Sequence, residues 1–129
     1  IGVQSSGHGP KFPVKVDYNQ EAKHPITMNL EDWVTPVGEL YNNIQIFDTA
    51  TALATGSQTL KDGKVAEAVI VWSNLYGPNK TRIFSASIGH TSEEIADENF
   101  AKLLVQGILW SIDKLNNDGK PDEGYVAGE

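Results

Sequence analysis

The chain has 129 residues, enough for one domain around a single core. Its 40% hydrophobic and 21% charged residues are ordinary globular composition and argue against a largely disordered chain. A net charge of −7, with 17 acidic and 10 scattered basic side chains, opposes nucleic acid and anionic membrane surfaces as partners.

Other absences narrow the chemistry further. There is no cysteine, so disulfides, thiolate nucleophiles and sulfur-ligated metals are all excluded. No apolar run approaches the roughly 20 residues that span a bilayer, so membrane insertion is not expected. The sequence begins at Ile1 without an initiator Met or a signal-peptide pattern, which reads as a processed or fragmentary chain.

In chain order, residues 1–13 are dense in Gly, Ser and Pro and read as a loop able to approach a ligand closely. Val14, Val16 and Tyr18 alternate with Lys15 and Asp17, the period of a half-buried strand. His24-Pro25 imposes an extended or turn conformation, and 28–33 reads as an irregular connection. Ile44, Ile46 and Phe47 suggest a strand after Asn42-Asn43. A Thr- and Ala-rich stretch then runs to the Asp62-Gly63 turn.

The run from Ala66 to Trp72 predicts a strand buried on both faces. Tyr76-Gly77-Pro78-Asn79 punctuates it, and Arg82 to Ile88 follows as its antiparallel hairpin partner. Asn79-Lys80-Thr81 matches a glycosylation acceptor, which has meaning only in a eukaryotic secreted protein. Phe100, Leu103, Leu104, Gly107, Ile108 and Ile112 have the spacing of one buried helix face, with Asp97 as N-cap. Asn116-Asn117-Asp118-Gly119 ends that helix, and 116–129 is expected to be a mobile polar tail.

Several short stretches, in order, resemble the ThuA-like (trehalose utilisation) family. They are Gly7-His8-Gly9, His24-Pro25-Ile26-Thr27, Glu39-Leu40-Tyr41, Val71-Trp72-Ser73-Asn74, Ser87-Ile88-Gly89-His90 and Gly107-Ile108-Leu109-Trp110. The resemblance covers most of residues 1–115 and implies an α/β fold, flavodoxin-like and similar to class I glutamine amidotransferases in three layers. What is present would be the C-terminal portion, mixed strands with a hairpin and a long final helix. An N-terminal half or a partner chain would complete the sheet. The resemblance and the missing Met favour an extracytoplasmic, periplasmic bacterial setting.

The same resemblance points to carbohydrate or an oxidised sugar derivative as ligand, and names no cofactor. His90 follows a strand and a glycine, and Thr91-x-x-Glu94 is a capping-box pattern, so His90 sits where side chains enter a crevice. It is the candidate general acid/base, with Glu93 or Glu94 orienting its ring. The plainer alternative is a turn histidine followed by a helix cap.

His8, between two glycines, is a candidate ligand contact or acid/base partner; otherwise it is incidental to a flexible loop. Glu39 and Tyr41 are candidate ligand-binding residues, Glu39 holding sugar hydroxyls, His8 or His24. Trp33, in a polar connection, is a candidate stacking surface, whereas Trp72 and Trp110 read as core. His24 reads as a structural turn residue. No metal-ligand spacing is present: the calcium-loop pattern around Asn116 would put Lys114 and Tyr125 at its first and twelfth positions. Without a cysteine or a serine elbow, glutaminase chemistry is not expected. Two readings remain, an enzyme using His90 and a non-catalytic binding or assembly module on an amidotransferase-like scaffold.

Overall fold

The structure, a computed structural model, describes residues 1–126. Its base is a five-stranded antiparallel sheet in the order β4-β3-β7-β8-β9. These strands are Lys15–Tyr18 (β3), Trp33–Val34 (β4), Ala50–Thr59 (β7), Val65–Tyr76 (β8) and Thr81–Ala86 (β9). β8 is the spine. Ile70, Val71, Trp72, Ser73 and Asn74 are five consecutive buried residues, so both faces of the sheet are covered there. The predicted hairpin is present, with Tyr76 opposite Thr81 and Val71 opposite Ala86. Val14, Val16 and Tyr18 are buried as their alternation implies.

β7 is a finding the pattern did not announce. Its Ala, Thr, Gly and Ser side chains give little hydrophobic contrast, and a register shift between Ala52 and Thr55 breaks the period of two. It lies between β3 and β8 all the same, and Gln58 and Leu53 are fully buried on it.

The first thirteen residues also differ from expectation. They form β1 (Val3–Gln4) and β2 (Gly7–Phe12), because each finds a partner far along the chain. β1 pairs with β6 (Gln45–Ile46), and β2 pairs with β5 (Gly38–Asn42), both antiparallel. The strand expected around Ile44 to Phe47 therefore shrinks to two residues, and Ile46 and Phe47 stay exposed.

Leu40 is the apolar side chain that seats the β2–β5 ribbon on the sheet. Alternation along β5 sends Leu40 inward, where it is fully buried, and Glu39 and Tyr41 to the other face. Leu40 occupies the space above Gly56 of β7. A Cβ at Gly56 would lie 2.9 Å from Leu40, Val14 and Ile70 at once. Only a residue without a side chain lets three elements meet at that point.

Two helices close one side. Thr91 caps α1 (Ser92–Ile95) and Asp97 caps α2 (Glu98–Ser111), as their sequence signals require. α2 buries Phe100, Leu103, Gly107, Leu109 and Trp110. The expected face is thus displaced at its C-terminal end, where Ile108 and Ile112 are 55% and 53% exposed. The cause is close packing at Gly107, whose missing side chain leaves room for the Phe84 ring and turns Trp110 inward.

The indole of Trp110 is in contact with an imidazole and a guanidinium. His24 packs against it at 4.9 Å between ring centroids, and the Arg82 guanidinium sits 5.2 Å from its ring. Beyond the helix, Leu115 enters the core, and Asn29 donates to the Asp118 and Gly119 carbonyls. The polar tail thus folds back as a turn, while its last residues, 127–129, lie outside the described ones.

Two outcomes follow from these contacts. Gly56→Ala is expected to lose about 1–3 kcal/mol in urea unfolding by overpacking the seat of Leu40. Burial, then the nearby Arg82, holds the His24 pKa down from 6.5 to about 4. The unfolded chain therefore binds more protons between those values, and His24 contributes stability that is complete above pH 6.5 and is lost as pH falls toward 4. A melting-temperature series across that range should fall more steeply for wild type than for His24→Gln.

Candidate functional site

The β2–β5 ribbon carries half of the site. His8 stands directly opposite Tyr41, so the two share a face, and their rings lie 5.8 Å apart. Glu39, two residues before Tyr41, points the same way by the period of the strand. A bulge between His8 and Lys11 re-aims β2 here. The buried Gln58 holds that bulge by donating to the carbonyls of Phe12 at 2.9 Å, Pro10 at 3.2 Å and Gly38 at 3.4 Å.

The turn after β9 carries the other half. Gly89 has φ +99°, and a Cβ there would lie 2.5 Å from the Phe100 ring, so the sharp exit to His90 needs glycine. The Glu94 carboxylate, fully buried, then reaches back. Its Oε2 accepts from the backbone N–H of His90 at 2.7 Å and of Thr91 at 3.4 Å. The Thr91 hydroxyl accepts from the Glu94 N–H at 3.2 Å and donates to the Val37 carbonyl at 3.1 Å. Glu94 fits because Gly38 has no side chain; a Cβ there would lie 2.6 Å from Oε1. The helix cap and the start of β5 are therefore one joint.

Together the two halves place two imidazoles on one carboxylate. Oε2 of Glu39 lies 3.6 Å from His8 Nδ1 and 3.5 Å from His90 Nδ1. Glu39 is only 10% exposed, against 55% for His8 and 35% for His90, so the anion is inside and the rings face outward. His8 Nδ1 also lies 2.9 Å from the Gly9 carbonyl. That contact is a hydrogen bond when the ring carries a proton on Nδ1. Beside the trio is a cavity of about 380 Å³ lined by Tyr41, Ala86, Ser87, Ile88, Gly89 and His90.

His8, Glu39, Tyr41 and His90 thus come together. Glu93 does not join them; it is exposed on α1, and its neighbour Glu94 takes the buried place. Nor does Trp33, which is 8% exposed in the core and donates its indole N–H to the Tyr18 hydroxyl at 3.3 Å. Its ring face is consumed by packing. Gln58 and Gly38 were not singled out from the sequence, since a Gln in a small-residue stretch and a lone Gly carry no local signal. Among the described residues no cluster of three or more His, Asp or Glu is arranged to hold a metal ion. A larger groove of about 450 Å³ runs beside Phe12, Lys15, Val34 and Lys61, and none of the site histidines lines it.

Residues 1–111 match the family model ThuA, described as trehalose utilisation. Among solved structures, a ThuA-like protein from Bacteroides uniformis is 28% identical over 90% of this chain and 51% of its own, with a TM-score of 0.64. A ThuA-like protein from Parabacteroides merdae is 20% identical over 94% of this chain and 50% of its own, with a TM-score of 0.69, a likeness of fold. The chain spans about half the length of each. No curated protein matches it.

Glu94→Ala leaves the His90 and Thr91 N–H groups without an acceptor and is expected to cost about 1–3 kcal/mol in denaturant unfolding. Glu94→Gln keeps the acceptor and should cost less. The His90 ring resonances in NMR spectra should move in the Ala variant and hold in the Gln variant.

Proposed function

The chain belongs to the ThuA family, and from that premise we propose that it carries the histidine site of a ThuA-like domain that acts on or binds a carbohydrate or an oxidised sugar derivative. His90 is the general acid/base. Glu39, and not the exposed Glu93, is the carboxylate that orients it, and His8 is its partner on the facing strand. Tyr41 supplies a phenol to sugar hydroxyls at the cavity mouth.

One observation supports this reading above the others, the two Nδ1 atoms at 3.5 and 3.6 Å from a single carboxylate oxygen. Imidazoles held by an acid through one nitrogen offer the other for proton transfer, the usual arrangement of a general base with its orienting group. The carbohydrate class follows from the family's description and from a polar-lined cavity of monosaccharide size. Because the chain spans half of its structural relatives, we assign the remainder of the domain, in the same protein or a partner chain, to completing the fold.

A second reading, a binding or assembly module without turnover, is favoured by the absence of any cysteine nucleophile on an amidotransferase-like scaffold. A thermal-shift screen of sugars and keto-sugars against wild type and His90→Gln separates the two. A ligand at about a hundred times its dissociation constant adds roughly 2.7 kcal/mol, a shift of several degrees at this size. Turnover of the stabilising sugar by wild type but not by His90→Gln is the expected result. Binding by both proteins with turnover by neither supports the module, and no shift with any sugar sinks the carbohydrate assignment.

A further inference from the structure

Resting on the assignment of a remainder that completes the domain, we infer where it docks: along the outer edge of β9 and the apolar flank of α2. There it also supplies a wall of the His90 cavity. The chain covers 51% and 50% of two ThuA-like structures, so about half of each has no counterpart here.

β9 is the outermost strand of the five-stranded sheet, and among the described residues its one partner strand is β8. The N–H of Ser87 donates to the Ile70 carbonyl. By the alternation of an antiparallel ladder, the N–H and C=O groups of Arg82, Phe84 and Ala86 therefore point to the open side. Sheet edges that stay in water are blunted by proline, by lysine or by a bulge. β9 has none of these. Its register with β8 is unbroken from Thr81 to Ala86, and its one charge, Arg82, is turned onto the Trp110 carbonyl and Asp113. The other edge strand, β4, has two residues, and Pro36 follows it closely.

α2 lies over β9, with Gly107 on the Phe84 ring. On one flank of the helix Trp110 meets His24, whose loop is tied to β7 by the Asn19 N–H on the Leu53 carbonyl. That flank faces the middle of the sheet. The opposite flank, toward the β9 edge, carries Leu104, Ile108 and Ile112 in a row four residues apart, and the last two are more than half exposed. An open ladder beside an apolar row fits a further strand with its own apolar covering, which is what the rest of an α/β domain provides. The site lies at the same seam. Five of the six residues lining the cavity, Ala86 to His90, follow one another off the end of β9. A strand laid along that edge runs past them and sets its own side chains against the cavity.

Amide hydrogen exchange and thermal unfolding test this on two intact proteins, this chain and the ThuA-like protein of Bacteroides uniformis. In this chain the Arg82, Phe84 and Ala86 amides should exchange about a hundredfold or more faster than those of Ile83 and Ser85. Ile108→Lys should leave its melting temperature unchanged. In the Bacteroides uniformis protein both sets of aligned amides should be slow, and lysine at the position aligned with Ile108 should lower the melting temperature by several degrees. Fast alternate amides in the aligned strand there mean an edge that stays open in the whole domain, and they overturn the inference. An aligned lysine without effect removes the helix flank from it. Slow exchange at all the β9 amides of this chain, with a dimer that Ile108→Lys dissociates in ultracentrifugation, gives the edge to a second copy and overturns it too. None of these readouts involves a sugar, so failure of the carbohydrate assignment shows separately, in the thermal-shift screen.

Discussion

The placement of Leu40 over Gly56 is the contact on which the site depends. Between Val14 and Ile70 there is room for one aliphatic side chain only because β7 has none at that position. Leu40 fills it, and by the alternation of a strand its neighbours Glu39 and Tyr41 must then face away from the sheet. Burying one leucine, worth about 1.5–3 kcal/mol, thus fixes the register of a whole ribbon. Strand pairing carries the decision across to His8.

Polar groups inside the molecule serve the same geometry. Gln58 is 1% exposed and spends its amide on three carbonyls of the ribbon. Glu94 is fully buried, yet its carboxylate meets two backbone N–H groups across the capping box. Buried polar groups cost free energy unless they are bonded, so each is tolerated where it ties separate segments together. Oε1 of Glu94 and Oε1 of Gln58 have no hydrogen-bond partner among the described residues, and both lie against glycines of the ribbon, Gly38 and Gly9.

What could be read from the sequence follows the range of the forces involved. β8 declares itself through continuous Val, Ile and Trp, and α1 and α2 through their caps, because those signals are local. The hairpin of β8 with β9 needs only a short turn between two strands. β2 and β7 were hidden, one by Gly and Pro, the other by small side chains and a bulge, since their stability comes from partners distant in sequence. The site divides in the same way. His90 was legible from its strand end and capping box, and His8, Glu39 and Tyr41 from short motifs. Glu93 was preferred over Glu39 as the orienting acid because proximity along the chain is visible and proximity across a ribbon is not. Trp33 read as exposed because its neighbours are polar, yet β3 pulls it into the core.

The two histidines belong to parts of the molecule that differ in how firmly they are held. His90 hangs from β9 and the spine strand β8, with paired backbone on one side and α2 packed above. His8 lies on β2, whose one partner strand is β5 and which stands outside the five-stranded sheet. Segments of that kind open locally at a small fraction of the free energy of global unfolding. A molecule in contact with both rings would bridge the sheet and the ribbon. Part of its binding energy would then go into docking of the ribbon, and occupancy and order of β2 would rise and fall together.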